Sequence, residues 1–206
     1  MFLLRRINSA LVISCLLLSG VVTADDQQAK KHLVDANLMF ATLDAGGSDN
    51  FHTGRMLQIN YNYYFKAWLA VSAGVIVTEE IAEEPQQDIA GEFRGIIQTN
   101  ALVLGLRPEY AFSDRNRVYA RTSVLAYSSE LQVEQFFGSG LPNDTSSDTT
   151  DGYGYLAGIG WAHSFTKRIS MQLELSHMAQ LDLFDESSKS FDLKSNSFGL
   201  GIGYAF

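Results

Sequence analysis

The sequence predicts an all-β fold, a closed antiparallel up-and-down transmembrane β-barrel of eight strands, and three observations predict it. Bulky apolar residues alternate with small or polar ones in segment after segment, which is the period of a strand with one greasy face. Short turns alternate with long polar loops along the chain, the spacing of a membrane barrel whose tight turns share one end. After residue 24 no stretch approaches the roughly 20 apolar residues of a membrane helix, so any span has to be built from strands.

Residues 1–24 stand apart from the rest. Arg5 and Arg6 lead into an apolar run at 11–18 and then Val22-Thr23-Ala24, the order of a secretory signal peptide cut after Ala24. The run is too short to serve as a retained anchor helix. Cys15 is the sole cysteine and lies inside this segment, so the mature chain forms no internal disulfide. Val12-Ile13-Ser14-Cys15 loosely matches a lipoprotein cleavage box, but the apolar run continues through Leu16-Leu17-Leu18, and such a run ordinarily precedes its cleavage site. The expected organisation is a signal peptide at 1–24 and one barrel domain at 25–206, a size suited to a single domain. Losing Arg5 and Arg6 takes the 15 basic residues to 13 against 23 acidic ones, a formal charge of −10. That balance excludes nucleic acid as a partner, because phosphates demand basic patches.

The first strand is expected at 32–42, with Val34, Ala36, Leu38 and Phe40 on one face and Asp35 and Asn37 on the other. In the second, 55–66, Leu57, Ile59, Tyr61, Tyr63 and Phe65 oppose Met56, Gln58, Asn60, Asn62 and Tyr64. A Lys66-Ala67 turn leads into the third, 68–78, marked by Leu69, Val71, Ala73, Val75 and Val77. The fourth, 93–112, sets Leu102, Leu104 and Leu106 against Ala101, Val103, Gly105 and Arg107. Arg107 is assigned to the inside, since an arginine on the lipid face near midplane costs about 2 to 4 kcal/mol. The same cost turns Arg121 inward in the fifth, 117–130, and leaves Val118, Ala120, Thr122 and Val124 outside. In the sixth, 152–165, Tyr155, Ala157, Ile159 and Trp161 face away from Gly154, Leu156, Gly158 and Gly160.

The turn Phe165-Thr166-Lys167-Arg168 opens the seventh strand, 168–180, where Ile169, Met171, Leu173 and Leu175 alternate with Ser170, Gln172, Glu174 and Ser176. The eighth, 195–206, alternates Phe198, Leu200, Ile202, Tyr204 and Phe206 with Ser197, Gly199, Gly201, Gly203 and Ala205. A second face of tiny residues suits the crowded interior of a narrow barrel whose large residues meet lipid. A soluble lipocalin-like barrel would bury the large residues instead. Short turns fall at 66–67, 113–116 and 166–167, and long loops at 43–54, 79–92, 131–151 and 181–194. Tyr63, Phe65, Trp68, Tyr110, Phe112 and Phe165 flank the short turns, where an aromatic girdle sits at the lipid interface.

Asp35, Arg107, Arg121 and Glu174 form the expected luminal charge cluster. Buried charges have to be paired, and an eight-stranded interior is just filled by side chains, so a structural plug is favoured over a narrow gated pore. Ser176 and His177, near Glu174 and Asp182, invite a hydrolase reading, as in enzymes that modify lipid A. Adjacent strand residues point to opposite faces, however, so the two cannot act as nucleophile and base. Loop 143–151 carries Asp144, Asp148 and Asp151 without the glycine and terminal glutamate of a calcium loop. Glu79, Glu80, Glu83, Glu84 and Asp88 make a second acidic loop that suggests lipopolysaccharide bridged by divalent cations; hydration alone accounts for both. No catalytic residue, cofactor or metal site is assigned, the ligand spacing of a transition-metal site being absent.

Tyr110-Ala111-Phe112-Ser113-Asp114, Val118-Tyr119-Ala120-Arg121, Leu173-Glu174-Leu175 and the closing Gly203-Tyr204-Ala205-Phe206 together resemble the membrane domain of outer membrane protein A and its small-barrel relatives. The resemblance covers nearly all of 25–206. It implies that the last strand, through Phe198, Leu200, Ile202, Tyr204 and Phe206, is the assembly signal read by the barrel-assembly machinery. It also implies a luminal cluster of opposite charges, continued here by Arg121 and Glu174. The sequence stops at Phe206, short of the periplasmic wall-binding domain of full-length relatives, so a wall-tethering role is not expected. The expectation is a monomeric bacterial outer-membrane barrel in contact with membrane lipid and lipopolysaccharide. Its role would be structural, surface-interaction or minor permeability, without catalysis, and its outer loops would carry the specificity. A lipid A-modifying enzyme and a narrow gated pore are the alternatives.

Overall fold

The computed structural model describes residues 31–44, 53–82, 86–87, 92–136, 144–183 and 191–206. Eight long strands follow one another: β1 (His32–Asp44), β2 (Thr53–Lys66), β3 (Leu69–Thr78), β4 (Glu92–Ala111), β5 (Asn116–Phe136), β6 (Asp144–Ser164), β7 (Ile169–Leu183) and β8 (Phe191–Ala205). Each pairs antiparallel with its neighbours in sequence, and β1 pairs with β8 from Leu33↔Ala205 to Asp44↔Lys194. The ring is therefore closed. Closure is what lipid requires, because an open edge in hydrocarbon would leave amides unsatisfied at several kcal/mol each. Two short pieces, Ile81–Ala82 and Gln86–Gln87, pair with the outer part of β4. No helix among the described residues is long and apolar enough to cross a membrane.

The alternation in the sequence separates the two faces. Leu38, Phe40, Leu57, Leu102, Leu104, Leu106, Val124, Ile159, Leu175, Phe198, Leu200, Ile202 and Tyr204 are all exposed on the outside. Arg107, Arg121, Glu174, Asn60, Asn62 and Gln172 are buried in the middle. This is the burial of a membrane barrel and the reverse of a lipocalin. Around the short-turn end Tyr63, Phe65, Trp68, Tyr110, Phe112 and Phe165 project outward as a girdle. Placing a charge on the outer wall tests this orientation. Leu104→Arg is expected to lower unfolding stability in lipid vesicles by about 2 to 4 kcal/mol, whereas a water-facing Leu104 would tolerate the change.

Three expectations are corrected. The segment expected to be the long loop 131–151 is largely strand, since β5 continues to Phe136 and β6 begins at Asp144, paired in register from Gln135↔Asp144 onward. The acidic run through Asp148 and Asp151 is thus a strand rather than a calcium-type loop. Both strands have 21 residues, well beyond the roughly 9 to 11 that cross the hydrocarbon, so this hairpin stands clear of the membrane. Secondly, Trp68 lies in the turn that joins β2 to β3 rather than in the third strand. Thirdly, the interior is not small or polar throughout. Met39, Leu43, Met56, Ile76, Ile97, Val103, Leu125, Leu156, Met178 and Leu193 are buried inside and make an apolar layer toward the long-loop end. The expected signal peptide at 1–24, and Glu83, Glu84, Asp88 and Asn143, lie outside the described residues.

Candidate functional site

The short-turn half of the lumen holds the charges. Asp35 on β1 is wholly buried and is the hub: its carboxylate accepts bonds from Asn37 Nδ2 at 2.9 Å, Asn60 Nδ2 at 2.7 Å and Asn62 Nδ2 at 2.6 Å. Arg107 Nη1 on β4 donates to it at 2.7 Å and Arg121 Nη2 on β5 at 3.4 Å. Arg121 also reaches Glu174 of β7 at 3.3 Å and the Ser72 hydroxyl at 3.0 Å. All four residues of the expected cluster are therefore in one network, brought in from four strands because each has the inward parity of its strand.

The network is wider than the charge argument alone assigned. Glu109 is buried beside Arg107, accepting from its Nε at 2.8 Å and from the Tyr64 hydroxyl. Arg117, partly exposed toward the short-turn end, lies 3.4 Å from the other oxygen of Glu109. The layer then balances, with Arg107, Arg117 and Arg121 against Asp35, Glu109 and Glu174. Tyr119 fills the space between the inner arginines: Arg107 lies over its ring at 3.8 Å and its hydroxyl donates to Glu174 at 2.9 Å. Such a stack on a desolvated guanidinium is worth about 2 kcal/mol. Glu109 was findable from its parity, two residues after Arg107.

Opposite these bulky groups the wall is glycine. A Cβ at Gly160 would run into the Tyr119 ring, one at Gly201 into the Asn37 amide and one at Gly199 into the Met39 sulfur. The glycines of β6 and β8 are thus the space in which luminal side chains lie. Above the ionic layer, Thr99, Ser129 and Gln180 bridge β4, β5 and β7 through Ser129 Oγ to Gln180 Oε1 at 2.9 Å and the Thr99 and Ser129 hydroxyls at 2.8 Å, and the apolar layer packs around them. Tight filling is the usual state of an eight-stranded interior.

Ser176 and His177 face opposite ways. Ser176 points into the lumen and bonds to the Ser197 hydroxyl at 2.7 Å, while His177 is on the outer wall with its Nδ1 2.9 Å from Asn196 Oδ1 and its ring beside Tyr155. They form no nucleophile–base pair. Among the described residues no group of His, Cys, Asp and Glu is placed to hold a metal ion. Phe198, Leu200, Ile202 and Tyr204 line the outer face of β8 as a continuous apolar ladder, and Phe206 follows just beyond its end with its ring stacked on His32.

Solved structures share this architecture. Ail, the attachment invasion locus protein of Yersinia pestis, superposes with a TM-score of 0.56 at 13% identity, covering 87% of this chain and all of its own. Neisserial surface protein A, from Neisseria, does so with a TM-score of 0.59 at 12% identity over 87% of this chain and 100% of that one. A major outer membrane protein of Thermus thermophilus gives 0.53 at 15% identity with the same coverages. At these identities the likeness establishes the fold alone. Among curated proteins none matches the sequence. The sequence does match the outer membrane protein beta-barrel domain over residues 11–206, and the chain belongs to that family of the bacterial outer membrane.

Proposed function

We propose that this barrel is a sealed scaffold that carries an interaction surface above the outer membrane rather than a passage through it. One observation supports the reading above the others: the lumen is occupied twice over, by a balanced ionic layer at the short-turn half and by an apolar layer at the other. Buried ions held by several partners each do not yield to permeating ions without large cost, and an apolar layer offers water no hydrogen bonds. What projects is the β5–β6 hairpin, whose outer stretch carries Glu130, Glu134, Asp148 and Asp151 among hydroxyl residues. Ail has been captured with a heparin analogue, sucrose octasulfate. Here the carboxylates would repel a sulfated ligand, so a cationic or neutral partner fits this surface better. Catalysis has no support in the placement of Ser176 and His177.

Planar-bilayer recording tests the sealed lumen. The purified barrel is expected to give no steady conductance, and discrete channel events from the unaltered chain would overturn the reading in favour of a pore. The surface role is tested by replacing residues 130–149 with a short turn. That chain is expected to keep heat-modifiable gel migration yet fail to complement deletion of the gene, and full complementation would overturn the surface role.

A further inference from the structure

The two ends of the barrel carry opposite charge. Among the described residues of the short-turn end, Lys31, Lys66, Arg115, Lys167 and Arg168 are exposed, against the single exposed acid Asp114. At the other end Asp44, Glu79, Glu80, Glu92, Asp148, Asp151 and Asp182 are exposed, with Arg55 and Lys194 as the exposed cations. The acidic excess of the whole chain therefore conceals a basic rim. None of Lys66, Arg115, Lys167 and Arg168 is ion-paired to a described residue. Glu109, the acid nearest that end inside the barrel, is already held by Arg107 and Arg117.

The depth of these cations decides what they meet. Lys66 lies 5.6 Å over the Trp68 ring, Arg115 follows Phe112 by three residues, and Lys167 and Arg168 follow Phe165 by two and three. The aromatic girdle marks the interface between acyl chains and headgroups. Long basic side chains rooted one to three residues beyond it extend along the surface and place their charge at the level of the phosphates. Short turns face the periplasm in outer-membrane barrels. We propose that the short-turn rim, through Lys66, Arg115, Lys167 and Arg168, binds the anionic headgroups of phospholipids in the periplasmic leaflet. The inference rests on the membrane orientation of the barrel and not on its having a surface role. A wall polymer or acidic periplasmic protein would meet the turns from below, and nothing in turns of two to four residues provides a cleft for one. A lipid phosphate lies beside them by geometry alone.

Native mass spectrometry of the detergent-purified barrel with equal phosphatidylglycerol and phosphatidylcholine tests this. The unaltered chain is expected to retain phosphatidylglycerol over phosphatidylcholine by at least about fivefold, the effect of a single juxtamembrane cation near an anionic surface. K66Q/R115Q/K167Q/R168Q is expected to lose the preference, and R55Q/K194Q at the opposite end to keep it. Absence of preference in the unaltered chain, its persistence in the quadruple variant, or its loss in the R55Q/K194Q chain each overturns the proposal. Heat-modifiable migration of the same samples reports folding separately. Should the quadruple variant not fold, raising salt from about 0.05 to about 0.5 M, which shortens the screening length severalfold, is expected to abolish the preference of the unaltered chain, and an unchanged preference would overturn it.

Discussion

Asp35→Ala is expected to cost the barrel about 3 to 5 kcal/mol, the loss seen when one partner of a buried ionic network is removed. Asp35 is wholly buried and accepts from three asparagines and two arginines. Without it Arg107 keeps Glu109, and Arg121 keeps Glu174, but the layer carries an uncompensated positive charge surrounded by a wall and lipid that cannot solvate it. Urea titration in lipid vesicles, read as the fraction that migrates as folded barrel, measures the effect. Asp35→Asn keeps the volume while removing the charge, so a similar loss assigns the effect to charge. A variant at position 35 as stable as the original chain would show that the network contributes nothing to the fold.

The second large effect comes from the glycines. At Gly105 of β4 a Cβ would fall on the Thr122 carbonyl oxygen and within 2.6 Å of the Ser123 Cα, both backbone atoms of the paired strand β5. Backbone of a paired strand has little room to retreat, so Gly105→Val is expected to cost about 3 kcal/mol or more and to block most refolding into vesicles. Gly158 on β6 makes the contrast. Its nearest neighbours to an added Cβ are the Leu175 carbonyl oxygen and Ser176 Cβ at 3.1 Å and Glu174 Oε1 at 3.3 Å, so a shift of a few tenths of an ångström accommodates alanine. Gly158→Ala is expected to stay within about 1 kcal/mol of the original chain. Equal behaviour of the two variants would mean that the glycines serve something other than space.

The difference between what the residues announced and what the barrel contains has a physical origin. The outer wall was legible because lipid penalises every polar side chain on it, so Leu102, Leu104 and Leu106, or Phe198, Leu200 and Ile202, mark it at strict period two. The same penalty placed Arg107 and Arg121 inside, and parity added Asp35 and Glu174. The interior has no such uniform solvent. Its short-turn half is ionic and its other half apolar, so Met39, Leu125 and Leu156 alternate with apolar outward neighbours and the polar–apolar contrast fades there. It fades again above the membrane. Beyond Leu131, at 132–136 and 145–151, no residue is fully buried, no hydrophobic period survives, and backbone pairing continues the strands. Arg117 needed the neighbouring strand to be seen, because its partnership with Glu109 crosses the ladder between β4 and β5 near the short turn.

The seam between β1 and β8 joins the opposite ends of the described chain over most of their length, from Leu33↔Ala205 to Asp44↔Lys194. Contacts of such separation are the slowest to form, since nearly the whole polypeptide has to be ordered before they give any return. Until the zip is complete, two strand edges with their amides bare face either water or hydrocarbon, and an intermediate of that kind is prone to join a second copy. The kinetic barrier to membrane insertion should therefore lie at this last junction, and substitutions along it should slow folding more than equally destabilising ones between β5 and β6, whose hairpin is local.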